Sequence, residues 1–471
     1  MKIKILCISF IFFLSLNVKG QKSQDNPAKY VFLFIGDGMG IQQVNTAKVF
    51  ADSVLKSKEG IVFTKFPVAS LSTTYAANRY ITCSAAAGTA LSTGSKTSIG
   101  TIGLNATHTD TLFSIAKKFK DNGKKVAILT SVSIDHATPA AFYAHKGSRS
   151  SYYEIAKDLF VSNYDFFASG GFKEPLGSKS DTSAVSIYEL GSKRGIAFTS
   201  SFTGIDSLKE MGKQTIVFSD PNPAKSSTLQ YEIDRASTDV KLADITQKAI
   251  DVVNNPNGFF MMVEGGKIDW ACHDNDAATV IYEVLAFSEA ISRAIDFYNQ
   301  HSNETLIVVT ADHETGGMSL GNAQNEYDNH LKILLKQHSS QEKLHDRIAT
   351  LKKTSPKATF DDILLFLAKE TGLSKTGEFA LTNDELTNLK SAYVEYFNSD
   401  SNGQNTYSAT DAISQVALAI LSNKAGIGWT SPTHTGSPVP VFVLGQGQEL
   451  FNVFLDNTEI PKKILESAGI Q

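Results

Sequence analysis

The chain has 471 residues, 42% of them hydrophobic, 20% charged and 10% aromatic. That is ordinary globular composition, and it excludes a disordered chain, a collagen-like repeat and a small disulfide scaffold. Lys and Arg number 44 against 48 Asp and Glu, for a net charge of −4 without a basic cluster, which disfavours a nucleic-acid binder.

Residues 1–20 read as an export leader. Lys2 and Lys4 precede an apolar run over 5–16 that is too short to span a bilayer, and Val18 and Gly20 offer fairly small residues before Gln21. A first buried strand or helix is the alternative. With the leader set aside, 21–471 form one domain, as α/β enzymes of this length often do. That remainder carries a net charge of −7 and only two cysteines, Cys83 and Cys272. These read as small buried residues in preference to a bridge. No later segment has the length of a membrane anchor, so the protein is expected to be exported, periplasmic or secreted.

Along the chain, apolar runs at 30–35, 126–129, 259–263, 306–309 and 439–444 predict buried strands, with helix-forming stretches between most of them. The alternation predicts a three-layer α/β/α sandwich around a large, mostly parallel sheet, with ligands bound beyond the carboxyl ends of the strands. Residues 321–428 differ. Polar helix-forming segments at 339–353, 359–371 and 383–397, and an Asn/Ser/Gly-rich stretch at 398–406, predict a helical insertion outside that sheet.

Chemistry-bearing residues cluster just after those strands. Asp37 stands in Gly36-Asp37-Gly38-Met39-Gly40, which also reads as a plain turn. Ser84 opens the alanine-rich run Ser84-Ala85-Ala86-Ala87, where a helix N-cap is the simpler role. The same position faces free N–H groups and suits a phosphate, and a hydroxyl there becomes a nucleophile only if a metal lowers its pKa. Glu264 ends an apolar strand, and Asp269 and His273 are spaced i, i+4, so a helix would put both on one face. Asp312-His313 follow the strand at 306–309, and His434 sits in a loop before the strand at 439–444. Together, Asp37, Glu264, Asp269, His273, Asp312, His313 and His434 suffice for two zinc-type sites and one harder, oxygen-only site.

The combination of Ser-Ala-Ala at a helix start, Glu-Gly-x-x-Ile-Asp-x-x-x-His, Thr-Ala-Asp-His-Glu and His-Thr-Gly resembles the alkaline phosphatase family over most of the chain. The resemblance implies two zinc ions, one magnesium ion and small phosphomonoester substrates. It makes Ser84 the phosphorylated serine. Asp269, His273 and His434 match the zinc ligands on the leaving-group side. Asp37, Asp312 and His313, with Ser84, match those of the nucleophile's zinc, and Asp37, Thr138 and Glu264 match the magnesium site. Arg149 matches the arginine that clamps two phosphoryl oxygens. Members are commonly dimers, so a homodimer is the expected assembly. Cys83 stands where many members have an Asp that orients the arginine, so Arg149 is expected to be held less firmly. His136 and Trp270 replace an Asp and a Lys that some bacterial members place around the third metal. If His434 reaches the shared site, the strand after it is expected to run antiparallel to its neighbours. A sulfatase would need a Cys/Ser-x-Pro-x-Arg context that Cys83-Ser84-Ala85-Ala86-Ala87 lacks. A phosphodiesterase relative would ordinarily lack the third site and the arginine, and a non-catalytic phosphate- or metal-binding protein would not need Ser84.

Overall fold

The structure is a computed structural model that describes residues 27–177, 184–220, 227–398 and 411–471. The leader assigned to 1–20, and the stretch 398–406 beyond its first residue, lie outside these. In chain order the strands are β1 (Tyr30–Gly36), β2 (Val68–Thr73), β3 (Lys125–Thr130), β4 (Phe166–Ala168), β5 (Ala197–Thr199), β6 (Ile216–Phe218) and β7 (Phe259–Gly265). They continue with β8 (Thr305–Thr310), β9 (Glu314–Thr315), β10 (Ser319–Leu320), β11 (Ile427–Gly428), β12 (His434–Thr435), β13 (Val439–Gly445) and β14 (Leu455–Asp456).

Ten of them form one sheet in the order β14-β2-β13-β8-β1-β7-β3-β4-β6-β5. Only β13 runs against its neighbours, antiparallel to both β2 and β8, as expected if His434 is to enter the site from before its strand. Every residue of β1 and β7 is buried, because both faces of the sheet are covered. One face packs Phe32, Phe34, Met261 and Val309 against the helices α1 (Ile41–Ser53), α3 (Leu242–Val253) and α5 (Ala277–Gln300). The other packs Val31, Leu33, Ile128 and Val308 against α2 (Ser84–Thr93) and the shorter helices at Ile115–Asp121, Tyr152–Leu159 and Glu459–Ser467. Between β7 and α5 lies the two-turn α4 (Lys267–His273).

Register levels the site. Ile35 pairs with Glu264 and with Thr310, and Thr130 also pairs with Glu264, so β8, β1, β7 and β3 end together at one edge. Asp37, Glu264 and Asp312 therefore come off adjacent strand ends within a few residues of one another.

Residues 321–428 hold α6 (Gln341–Thr354), α7 (Phe360–Thr371), α8 (Asn383–Asn398) and α9 (Ala412–Ala425). None of these contributes to the ten-stranded sheet. The antiparallel pair β10/β11 closes the base, Leu320 opposite Ile427. Buried residues of these helices, among them Leu344, Ile363 and Leu418, are continuous with the core that covers the sheet. Docking is specific as well. The buried carboxylate of Asp276 caps α5 through Thr279 N and also accepts from Gln337 Nε2 at 2.7 Å and from Gln341 N at 3.0 Å.

Candidate metal centre

Cys83, in extended backbone, is the N-cap of α2, and Ser84 is the first helical residue. The N-cap position that the sequence allowed for Ser84 thus falls to its neighbour, whose side chain makes no capping hydrogen bond. The Ser84 hydroxyl instead points to His313, with Oγ and Nε2 3.2 Å apart across 229 residues of sequence.

Around the same nitrogen, Asp37 Oδ1 lies at 3.3 Å and Asp312 Oδ2 at 3.4 Å, all of them fully buried. Both oxygens of Asp37, together with Asp312 Oδ2 and Glu264 Oε1, make no hydrogen bond although buried. Buried carboxylate oxygens facing no donor are costly unless a cation or a proton joins them. Burial, reinforced by the nearby Asp312, pushes the Asp37 carboxyl well above the usual range. Burial and the charge of Asp269 push Asp312 up to about 7. Burial lifts Glu264 to about 8, opposed by the hydroxyls of Thr130 and Thr138.

The second cluster stands beside the first. Asp269 and His273 share one face of α4, as the i, i+4 spacing requires, with His273 Nε2 3.4 Å from Asp269 Oδ2. His434 Nε2 lies 3.7 Å from Asp269 Oδ1 and 3.2 Å from His273 Nε2. Each of these histidines is oriented by its other ring nitrogen. His273 Nδ1 donates to Pro432 O at 2.7 Å, and His434 Nδ1 donates to Thr82 O at 2.9 Å. Both lone pairs are thereby aimed at one point beside a carboxylate. Although burial opposes it, Asp269 raises His273 to about 9, while the three histidines hold Asp269 well below the usual range. A proton on His273 is the charge that a cation would displace.

The groups spaced to share an ion are Asp269 with His313 and His434, Asp37 with Asp312 and His313, and Asp37 with His136 and Glu264. The first differs from the set read off the sequence in holding His313 in place of His273, and the third in bringing in His136. Thr138, buried on the turn Ala137–Ala140, stays beside Glu264. Gly38, at φ 69°, is needed here: a Cβ would come within 2.8 Å of both Asp269 Oδ1 and Thr315 Oγ1.

Arg149 has an anchor that the sequence did not signal. Its Nη2 lies 3.2 Å from His136 Nε2, and burial, then the arginine's own charge, lowers His136 to about 3, so the imidazole stays neutral and accepts. Trp270 packs edge-on against His136 at 5.9 Å between ring centroids. Cys83 is a free thiol whose Sγ accepts from Gly100 N, while Gly100 O accepts from Arg149 N at 2.8 Å, so residue 83 touches the arginine's backbone support. Cys272 is also free, and buried. Sequence reasoning passed over a further set that ties the ligand-bearing segments together: Thr130 donating to Glu264, and Gln43 donating to Glu314 Oε1 at 2.7 Å and to Thr315 O at 2.8 Å. Gln43 and Glu314 are 271 residues apart, so only the motif Thr-Ala-Asp-His-Glu hinted at Glu314.

The family model for alkaline phosphatase matches residues 28–163 and 224–470. Alkaline phosphatase 3 of Bacillus subtilis (strain 168) is 31% identical over 459 residues, 95% of this chain and 90% of that protein. Alkaline phosphatase 4 of the same organism is 32% identical over 388 residues, 80% of this chain and 75% of that one. Among solved structures, a cold-active alkaline phosphatase from a psychrophilic Shewanella sp. superposes with a TM-score of 0.75 at 29% identity, covering 93% of this chain and 99% of that one. With that match over most of its length and with clustered metal-type ligands at the strand ends, the chain belongs to the alkaline phosphatase family and is a phosphomonoesterase.

Proposed function

We propose that the chain hydrolyses phosphate monoesters through a phosphoserine on Ser84, at a centre of two zinc ions and one magnesium ion. The observation that carries this is the convergence of acceptors: two imidazoles whose Nε2 atoms lie 3.2 Å apart beside Asp269, and the unbonded oxygens of Asp37 and Asp312 Oδ2 gathered with Ser84 Oγ around His313 Nε2. His273, His434 and Asp269 suit one zinc, and Asp37, Asp312 and His313 suit the other. Asp37, Thr138 and Glu264 offer the oxygen donors that magnesium prefers, while His136 beside them has its one lone pair turned to Arg149. When bound, the ions supply positive charge at the entering and leaving oxygens and ease deprotonation of the serine hydroxyl and of water.

The chain's own residues do the rest. Ser84 Oγ gives up its proton and attacks phosphorus in line, the bond to the alkoxide breaks, and the alkoxide takes a proton from water. Arg149 holds two non-bridging oxygens with its fork of N–H donors, and neutral His136 fixes the plane of that fork. Water then attacks from the side the alcohol left, releasing inorganic phosphate and restoring Ser84. A dianionic monoester uses both the arginine and the third cation, so monoesters are expected to react far faster than diesters or sulfate esters. Residues 1–20 act as an export leader, 321–428 are a helical insertion within a single domain, and the protein works outside the cytoplasm as a homodimer.

Metal analysis with kinetics on the wild type and Ser84→Ala tests the reading. Zinc near two per chain, activity lost on chelation and a variant that binds phosphate without turnover support it. His313 and Ser84 also form a serine–histidine pair that needs no metal. Activity that survives exhaustive chelation would favour that pair and overturn the metal reading.

A further inference from the structure

Thr315 lies two residues beyond His313, was not among the residues that the sequence motifs singled out, and is fully buried. Its hydroxyl lies between the two candidate zinc clusters. Oγ1 is 2.6 Å from Asp269 Oδ1, in the first cluster, and 3.2 Å from His313 Nδ1, in the second. A threonine hydroxyl has one hydrogen. At 2.6 Å from a carboxylate, that hydrogen belongs to Asp269, since a hydroxyl donating to an ionised acceptor has this short length. Toward His313 the same oxygen then only accepts, so Nδ1 carries the imidazole hydrogen and the lone pair sits on Nε2. That is the nitrogen that faces Asp37, Asp312 and Ser84.

The other two histidines of the centre have this setting imposed by backbone carbonyls, Pro432 O and Thr82 O. His313 has it imposed by a side chain that also aims a ligand of the neighbouring cluster. Thr315 is itself pinned: its N donates to Gly38 O at 3.1 Å, its carbonyl accepts from Gln43, and it stands opposite His434 in the β9/β12 ladder. We infer that Thr315 is a positioning residue that holds His313 in its Nε2-coordinating tautomer and Asp269 in its ligating orientation through one hydroxyl, and so couples retention of the two zinc ions. This rests on the metal assignment proposed above.

The two substitutions that separate the hydroxyl from the packing are Thr315→Val, which keeps the volume and removes the oxygen, and Thr315→Ser, which keeps the oxygen and removes a methyl. Each protein is loaded with zinc and equilibrated against graded EDTA, and bound zinc is measured per chain. Metal-free thermal unfolding is recorded in parallel to check that each variant folds. Partners of this kind are worth about 10–100-fold in metal affinity. Thr315→Val is expected to release both zinc ions at chelator concentrations lower by that factor, with Thr315→Ser close to the wild type. Equal zinc retention in Thr315→Val and the wild type would overturn the inference, as would equal losses in the Val and Ser variants, which would assign the effect to packing. Release of only one of the two ions by Thr315→Val would overturn the coupling. A wild type that binds no zinc would instead remove the metal assignment itself, an outcome distinguishable from all of these.

Discussion

At the scale of single residues, Ser84 is useful because Cys83 takes the N-cap and leaves the serine hydroxyl facing His313. Ser84→Ala is expected to cut turnover by at least about a thousandfold, because the covalent step is lost. Phosphate should still inhibit by binding to Arg149, which competition with a chromogenic monoester in the residual or mixed-enzyme assay measures. The contact between Arg149 and His136 was not legible in the sequence, for a physical reason. Cys83 stands where an Asp would orient the arginine, so looser holding was expected, whereas the guanidinium meets His136, thirteen residues before it in the chain, through a turn that brings the two side chains together. His136→Ala is therefore expected to raise KM and the inhibition constant for phosphate about 10–150-fold, the loss of one charge-assisted hydrogen bond. Cys83→Ala, which removes only a weak N–H···S contact to Gly100, should change either by less than about threefold. Equal effects of the two variants in steady-state kinetics would contradict that assignment.

At the scale of elements, what the sequence made legible depended on how far a strand is buried. β1, β3, β7, β8 and β13 are covered on both faces and therefore read as unbroken apolar runs. β4, β5 and β6 have three residues each, too few to carry any pattern, and β2 mixes exposed and buried positions near the sheet edge. In 321–428 the polar helices α6, α7 and α8 were legible within about two residues, helped by the side-chain caps Ser340 and Thr359. The mostly buried α9 was missed because the polar stretch before it suggested a loop. What no periodicity foretold is how this segment grips the rest, since Gln337 and Gln341 reach Asp276 across more than sixty residues. Asp276→Ala strips the cap from α5 and leaves both glutamine contacts unmet. The expected cost is about 2–4 kcal/mol, from a lost cap at about 1 and unsatisfied buried donors at about 1–3. Hydrogen exchange should accelerate first in α6 and at the start of α5, before the central strands. Uniform acceleration through the sheet would contradict this docking role.

At the scale of the whole molecule, the centre stores protons that metals must displace. Glu264 at about 8 and Asp312 at about 7 are raised carboxyls, and His273 at about 9 is a raised imidazole. Each binds its proton more tightly folded than unfolded. Each therefore stabilises the metal-free chain at low pH and loses that contribution as pH climbs through the folded value. Between about pH 6 and 9 the Tm of the chelated protein is expected to fall. Metal binding releases the same protons, so affinity should rise over that range and the loaded protein should hold its Tm. Scanning fluorimetry with and without EDTA across pH reads both trends, and a chelated Tm that rises with pH would contradict the charge arrangement. The candidate ligands were legible because sheet topology gathers residues that follow strand ends. Thr315 and Gln43 were not, since their roles exist only once distant segments come together, Thr315 meeting Asp269 across 46 residues and Gln43 meeting Thr315 across 272.

The most direct test of the central claim is to quench the wild-type protein with acid during turnover of a phosphomonoester and map the modified peptide by mass spectrometry. Phosphate on Ser84 and on no other residue is the expected result. A chain that turns over substrate yet carries no phosphate on Ser84, or carries it on another side chain, would contradict the nucleophile assigned here.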